Sequence, residues 1–357
     1  MSAPFARVRF PLVQAPMAGA QGSALAVAVC RAGGIGSLPG AMLTPDALSK
    51  ELATIRASLP HDALFNVNFF CHQSPAADEA VDRAWFTKLA PVYREFGIDP
   101  ASIAAGPGRL PFSEATAEAI APFAPPIVSF HFGLPSEALI ARCRAWGAQI
   151  WSSATTVAEA RWLAERGVDA IIAQGLEAGG HRGHFLSDDL SMQLPMLPLT
   201  QQICRAVATP VIAAGGIVDA QSASAAMSAG AAAVQVGTAF LRTPESTISK
   251  LYRDALASEA ATHTALTNVF TGRPARGIVN RFMREYGPLN ADAPAFPLAT
   301  RQSAPLRAAA EAAGSADFTP LWAGQNAPLC EALSAAEIVK RIGEAALAAL
   351  RRAYPGK

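Results

Sequence analysis

The chain has 357 residues, of which 51% are hydrophobic and 16% charged, and its formal net charge is +1. This composition allows a large buried core and is unlike that of a disordered chain. The near-neutral charge argues against a surface that follows nucleic-acid phosphates. Residues 1–10 lack the apolar stretch of a signal peptide, and Gly230 and polar residues interrupt the apolar window 223–241. We therefore expect neither nucleic-acid nor membrane partners.

The five cysteines lie far apart and form no CxxC pair. This spacing predicts no disulfide framework, no zinc site and a reducing, cytoplasmic location. His61 and His72 have no acidic partner at ligand spacing, so we predict no metal site.

Short apolar runs that end in Gly, Pro, Asn or Gln alternate with Ala-rich helical stretches. Eight such runs are predicted strands: 12–16, 34–38, 64–69, 127–132, 149–153, 170–174, 211–215 and 233–237. Helices are predicted between them, among others at 24–32, 45–58, 136–146 and 157–166. Continuous apolar strands separated by helices indicate a parallel sheet buried on both faces. Eight units in a row favour an α/β fold of the (β/α)8 TIM-barrel type over an open sheet.

The predicted domain organisation is a barrel at 1–241 with additional helical parts. The connection between the third and fourth strands, about 71–126, is too long for a simple crossover and is interpreted as a barrel helix plus a small helical insertion. Residues 242–357 are predicted to be a C-terminal segment, helical from 262 onward, that packs at the barrel mouth as part of a lid or second domain.

In barrels of this type a phosphate commonly binds at the loops after strands seven and eight. Here these strand ends carry Gly215, Gly216, Gly237 and Thr238. Glycine lets backbone N–H groups approach an anion, and the following helix adds a favourable dipole. Two tight turns without a ligand are the alternative. Glycine at both expected strand ends favours a phosphate site, bound mainly by backbone amides.

The segment that follows the sixth strand contains Gly179, Gly180 and His181 in succession. An imidazole titrates near neutral pH, so His181 can exchange a proton with a carbon acid or hydrogen-bond a reduced flavin. A lone loop histidine is usually structural, but the glycine-flanked position at a strand end favours a functional one. Arg182 is expected either to clamp a substrate anion or, preferably, to form a salt bridge, and His184 to be supporting or exposed.

Three further strand ends carry candidate residues. The Ala15–Pro16–Met17 turn after the first strand can lay its backbone against the edge of a flat ring such as a flavin. Asn68 can hydrogen-bond a ring or a phosphoryl group, or merely cap its strand. His131 is either a core histidine or a pocket wall, and we favour the wall.

Seven segments of the sequence resemble the motifs of a known protein family. They read QAPM at 14–17, SFHFGLP at 129–135, QGLEAGGHRG at 174–183, AAGGI at 213–217, QVGTAFL at 235–241, TGRPARG at 271–277 and LWAGQ at 321–325. Together, and in this order over nearly the whole chain, they resemble the motifs of the class I nitronate monooxygenases, formerly called 2-nitropropane dioxygenases.

The resemblance implies a non-covalent FMN and the oxidation of alkyl nitronates, of the propionate 3-nitronate type, by O₂ to a carbonyl compound and nitrogen oxides. It also implies that His181 is the active-site histidine. The FMN-binding residues that it implies, with two neighbours in the same motifs, are Asn68, Gln174, Gly179, Gly180, Gly216, Gln235, Val236, Gly237 and Thr238. The expected partners are a small nitronate or nitroalkane and O₂, in a monomer or homodimer.

Three positions depart from the family pattern. Val236 stands where methionine is frequent, Ala220 where glycine is common, and Phe296 where a tyrosine is expected. We place Phe296 with His131 in the substrate pocket, where loss of the tyrosine hydroxyl changes how the substrate's polar end is held. The alternatives are an FMN-dependent NADH:quinone reductase or enoyl-acyl-carrier-protein reductase on the same barrel, and a non-catalytic FMN- or phosphate-binding barrel.

Overall fold

A computed structural model describes residues 5–76, 78–104 and 108–353. The strands are β1 Leu12–Gln14, β2 Gly36–Pro39, β3 Phe65–Phe70, β4 Ile127–His131, β5 Gln149–Ala154, β6 Ala170–Gln174, β7 Gly180–His181, β8 Val211–Ala214, β9 Ala233–Val236, β10 Thr264–Thr267 and β11 Ala275–Ile278. The α-helices are α1 Ser23–Arg31, α2 Pro45–Ser58, α3 Glu79–Glu95, α4 Glu114–Ile120, α5 Glu137–Ala145, α6 Val157–Glu165, α7 Met196–Ala206, α8 Ala220–Ser228, α9 Lys250–Ala257, α10 Arg281–Tyr286, α11 Thr300–Ala312 and α12 Ala335–Ala353.

Eight parallel strands form one sheet in the order β1-β9-β8-β6-β5-β4-β3-β2. The sheet closes between its two ends, because the Gln14 amide donates to the Ile35 carbonyl at 2.9 Å and the Ile35 amide donates to the Leu12 carbonyl at 2.8 Å. Helices connect successive strands outside the sheet. The predicted (β/α)8 barrel is therefore confirmed, and all eight predicted strand positions contain a barrel strand.

The barrel interior is packed rather than hollow. Apolar side chains from several strands meet inside it, among them Val13, Ile35, Trp151 and Ile212, all inaccessible to solvent. Phe5 closes one end with its ring 5.6 Å from that of Trp151. Burial on both faces explains why these strands are continuously apolar instead of alternating.

Local capping signals place the helices of the outer layer. Thr44 precedes Pro45 and accepts from the Ala47 amide, and Thr156 accepts in the same way from the Glu159 amide. Such caps satisfy amide groups that a helix leaves free at its start. Each helix can then begin directly after the loop at the carboxyl end of its strand.

The connection between β3 and β4 holds two helices with different neighbours. Helix α4 packs against α2 and α5 in the outer layer of the barrel, whereas α3 packs against α11 of the C-terminal segment. Two aromatic side chains of α3, Trp85 and Tyr93, share an apolar cluster with Phe270, Phe282 and Phe318.

The C-terminal segment is not helical throughout, so that part of the sequence prediction is wrong. Strands β10 and β11 pair antiparallel, and β11 also pairs with β7, the Gly180–His181 step. β11 has a second partner, β7, some ninety residues earlier in the chain, and a local sequence pattern does not reveal such a pairing. Helix α12 packs against α1 and α8 on the side of the barrel, while α9 and α11 lie nearer the carboxyl ends of the strands. Among the described residues, no helix has the length and apolar character needed to cross a membrane.

Candidate active site

One cavity of about 410 Å³ opens at the carboxyl ends of the barrel strands. Fourteen of the sixteen residues proposed from sequence line it: Ala15, Pro16, Met17, Asn68, His131, Gln174, Gly179, Gly180, His181, Gly215, Gly216, Gln235, Gly237 and Thr238. The other two, Val236 and Phe296, are not among the lining residues. Because the carboxyl ends of parallel strands meet at one rim, residues from the ends of six different strands can supply a single site.

The glycine-rich ends of β8 and β9 form one wall of the cavity. Gly215 and Gly216 have φ values of +120° and +68°, in the region that residues with side chains rarely adopt. The Thr238 hydroxyl accepts a hydrogen bond from the Gly324 amide at 3.0 Å, which leaves its own hydrogen free to donate. This wall therefore presents backbone and one hydroxyl, as an anion site of the predicted type requires.

The two glycines before His181 are needed for different reasons. A Cβ at Gly179 would stand 2.6 Å from the Ala323 carbonyl carbon and 2.7 Å from the Gly324 nitrogen, so glycine allows close packing there. Gly180 has φ +75° and no heavy atom within 4 Å of a Cβ position. Its missing side chain keeps that part of the cavity open.

His181 is held at the cavity wall by a hydroxyl. Its Nε2 lies 2.9 Å from Thr271 Oγ1, and the Thr271 hydroxyl donates to the Arg273 carbonyl at 3.4 Å. In this arrangement Thr271 accepts from Nε2–H, so we assign the free electron pair of the ring to Nδ1. Burial, followed by the positive charge of Arg109, holds the pKa of His181 well below its usual 6.5. The imidazole is therefore neutral at neutral pH and able to accept a proton.

His131 and Gln174 fix the His181 backbone. His131 Nε2 and Gln174 Nε2 both donate to the His181 carbonyl, at 3.1 and 2.9 Å. Since Nε2 carries the hydrogen, His131 Nδ1 accepts from the Ser153 hydroxyl at 2.8 Å. Gln174 Oε1 accepts from the Gly183 amide at 2.8 Å. Burial lowers the pKa of His131 to about 3, so this ring is also neutral.

Arg182 forms no salt bridge with any residue that the structure describes, so the role favoured from sequence is wrong. Its fully buried guanidinium donates to Gln193 Oε1 at 2.7 Å and to the carbonyls of Gly175 and Gln174 at 2.7 and 2.8 Å. These bonds tie residues 175–183, which we call the histidine loop, to the end of β6. His184 is only 2% exposed, which fits the supporting role and not the exposed one.

The remaining predicted residues differ in what their side chains contact. Asn68 Nδ2 donates to Ser129 Oγ at 2.9 Å, while Gln235 Oε1 is buried without a partner among the described residues. Val236 turns its side chain into the apolar layer between strands and outer helices. Phe296 packs edge-on against His181, with ring centres 5.3 Å apart, although it does not line the cavity.

Other residues line the cavity without a role predicted from the sequence, among them Arg109, Tyr252, Arg307, Trp322 and Asn326. Trp322 lies within the LWAGQ segment, so a signal for it was present, and Asn326 follows that segment directly. The Trp322 ring lies 5.5 Å from His181, the Tyr252 hydroxyl donates to the Trp322 carbonyl, and Asn326 Nδ2 donates to the Gly216 carbonyl at 2.6 Å. Arg109, Tyr252 and Arg307 carry no sequence signal, because long connections bring them to the rim.

Fold and site together define an enzyme of the (β/α)8-barrel class, with its cavity at the catalytic end of the barrel. The family model described as nitronate monooxygenase matches residues 2–344. A nitronate monooxygenase from Paraburkholderia phytofirmans is 42% identical over 93% of this chain and 91% of its own length. One from Pseudomonas aeruginosa is 40% identical over 94% of this chain and 96% of its own length. The chain therefore belongs to the nitronate monooxygenase family and is an oxidoreductase, as predicted.

Solved structures agree with this assignment. A nitroalkane oxidase from Streptomyces ansochromogenes is 38% identical and superposes with a TM-score of 0.89 over 99% of both chains. FabK from Thermotoga maritima is 24% identical, with a TM-score of 0.72 over 99% of this chain and 97% of its own. The second likeness shows the shared fold alone.

Proposed function

We propose that this protein is an FMN-dependent nitronate monooxygenase that oxidises alkyl nitronates with O₂ to a carbonyl compound and nitrogen oxides. One observation carries the proposal: the glycine-rich ends of β8 and β9 and the Gly179–Gly180–His181 step converge on the same cavity. A volume of about 410 Å³ lies in the range of small-molecule and cofactor sites.

The cavity fits FMN in its chemistry. The backbone of Gly215, Gly216 and Gly237 and the Thr238 hydroxyl would hold the phosphate. Gln235 Oε1 is buried and has no hydrogen-bond partner among the described residues, so it offers an acceptor to the ring or the ribityl chain, since a buried acceptor without a partner is costly. The open face at Gly180 leaves room for a flat ring. When bound, FMN takes electrons from the substrate and passes them to O₂.

The ring would also contact residues beyond the glycine wall. The Ala15–Pro16–Met17 backbone, Asn68 and Gln174 line the cavity at the ends of β1, β3 and β6. Both polar side chains are already held by protein groups, Asn68 by Ser129 and Gln174 by the histidine loop. Their orientation is therefore set before a cofactor arrives, which lowers the ordering cost of binding.

His181 supplies the proton chemistry. Its neutral imidazole accepts a proton at Nδ1 from the carbon of a neutral nitroalkane, or lies against a nitronate that is already an anion. The Arg109 and Arg273 charges that lower its pKa also favour an anionic substrate. Phe70, Phe132 and Phe296 form an apolar cluster beside it, which limits water at the reacting carbon.

The first experiment is a visible spectrum of the purified protein, followed by O₂ uptake after addition of propionate 3-nitronate without NADH. The proposal expects a flavin spectrum and rapid O₂ consumption. Consumption of NADH without nitronate turnover would instead support a reductase. A colourless protein that cannot be reconstituted with FMN would refute the proposal.

The variant His181→Asn tests the role of the imidazole. Loss of a general base typically costs about 10²- to 10⁴-fold, so turnover of a neutral nitroalkane should fall within that range. The exposed His61→Asn serves as the matched control and should retain full activity. Equal nitroalkane turnover by the two variants would show that His181 is not the general base.

A further inference from the structure

Arg109 is a cavity-lining cation that has no hydrogen-bond or ion-pair partner for its side chain among the described residues. Its guanidinium donates no hydrogen bond and forms no ion pair with any residue that the structure describes, and Nη1 is completely buried. Arg307 lines the same cavity but already pairs with Glu311 at 2.8 Å. Arginine donors are seldom left buried and unpaired unless a ligand completes them.

The surroundings of Arg109 hold it in place. Its carbonyl accepts from His72 Nε2 at 2.9 Å, and its guanidinium carbon lies 5.7 Å from the centre of the Phe296 ring. Phe296 in turn packs against His72, with ring centres 4.8 Å apart. The backbone of Arg109 is thus held by His72 and its guanidinium lies against Phe296, while its N–H groups have no hydrogen-bond acceptor among the described residues.

Arg109 is also on the correct side of the barrel for a substrate rather than for the cofactor phosphate. It follows β3, which in the ring of eight strands lies opposite β8 and its Gly215–Gly216 turn. The Phe296 ring, which contacts the Arg109 guanidinium, also has its centre 5.3 Å from the centre of the His181 ring. A substrate whose carbon reacts beside His181 can therefore reach Arg109 with a short tail.

We propose that Arg109 is a specificity-determining residue that binds a second anionic group, a carboxylate, at the end of the nitronate substrate remote from the reacting carbon. This inference rests on the function proposed above. The planar guanidinium can take a carboxylate with two parallel hydrogen bonds, which a neutral alkyl end cannot form. The protein then prefers a dianionic nitronate to an alkyl nitronate of similar length.

The test compares propionate 3-nitronate with propyl-1-nitronate, using the FMN-loaded protein and kcat/KM for each. In Arg109→Met the preference for the carboxylate-bearing substrate should fall about ten- to hundredfold, mainly through KM. Propyl-1-nitronate, which the Arg109 charge attracts only through its nitronate group, should lose much less. Arg109→Lys, which keeps the charge, should restore part of the preference. Arg142→Met is the control, since it removes a paired charge outside the cavity, and it should keep the wild-type ratio.

A second readout does not depend on turnover. Calorimetric titration with 3-nitropropionate should show binding to the wild type and at least tenfold weaker binding to Arg109→Met. If that variant fails to fold, Arg109→Gln takes its place in both measurements.

The outcomes separate the two proposals. An unchanged ratio in Arg109→Met, or an equal loss on both nitronates, overturns the role of Arg109. A wild type that oxidises neither nitronate overturns the proposed function instead. A selective loss on the carboxylate-bearing substrate, with weaker 3-nitropropionate binding, supports the inference.

Discussion

The substitution Gly180→Ala places one methyl group in the cavity without disturbing the surrounding packing. No heavy atom lies within 4 Å of the new Cβ, so the stability cost comes only from φ +75°. A left-handed conformation costs a non-glycine residue about 1–2 kcal/mol. A methyl group that intrudes on a bound ring costs about 1–3 kcal/mol more, so the FMN dissociation constant should rise about 5- to 150-fold.

Gly314 offers a matched control outside the cavity. Its φ is +77° and its Cβ position is equally free of neighbours. Gly314→Ala should therefore lose the same stability, measured by urea unfolding of the flavin-free protein, and retain the wild-type affinity for FMN, measured by fluorescence titration. If Gly180→Ala binds FMN as tightly as Gly314→Ala, the reasoning about the open face at Gly180 is wrong.

Two further predictions concern the histidines. Thr271→Val keeps the shape but removes the acceptor of His181 Nε2–H, so nitroalkane turnover should fall about tenfold, with recovery in Thr271→Ser. A Thr271→Val variant with wild-type kinetics would contradict the assigned tautomer. The pKa of His131 is lowered to about 3 in the folded protein and is near 6.5 when unfolded, so the unfolded state binds a proton first as the pH falls. The free energy of unfolding should then decrease by about 1–2 kcal/mol between pH 7 and pH 5, and His131→Gln should lack this part of the decrease in urea titrations at both values. Identical pH dependence in both proteins would show that His131 is not the group responsible.

The barrel and much of the candidate site were predictable from local sequence. Each barrel strand corresponds to a short apolar run in the sequence with a glycine, proline or polar residue at its end. The carboxyl ends of the parallel strands in a barrel all lie at one rim. Once the barrel closes, one cavity is therefore expected to receive the predicted segments around Met17, Asn68, His181, Gly216 and Gly237.

The roles of individual side chains were less predictable. Arg182 was expected to pair with an acid, yet it binds backbone carbonyls and Gln193. Which partner a buried arginine takes depends on atoms brought together by several loops, and a sequence pattern contains no such distances.

What the sequence determined by itself is the set of elements, their order and the glycine–histidine step, because these follow from near-neighbour periodicity and backbone freedom. Only the tertiary structure decided that β11 pairs with Gly180–His181, that Tyr252 and Trp322 reach the rim, and that Arg109 finds no ion-pair partner there in the part of the chain that the structure describes. Those contacts join residues some seventy to a hundred positions apart. They are chosen by the packing of long connections around the barrel, where burial and hydrogen-bond satisfaction of the whole chain outweigh local preference.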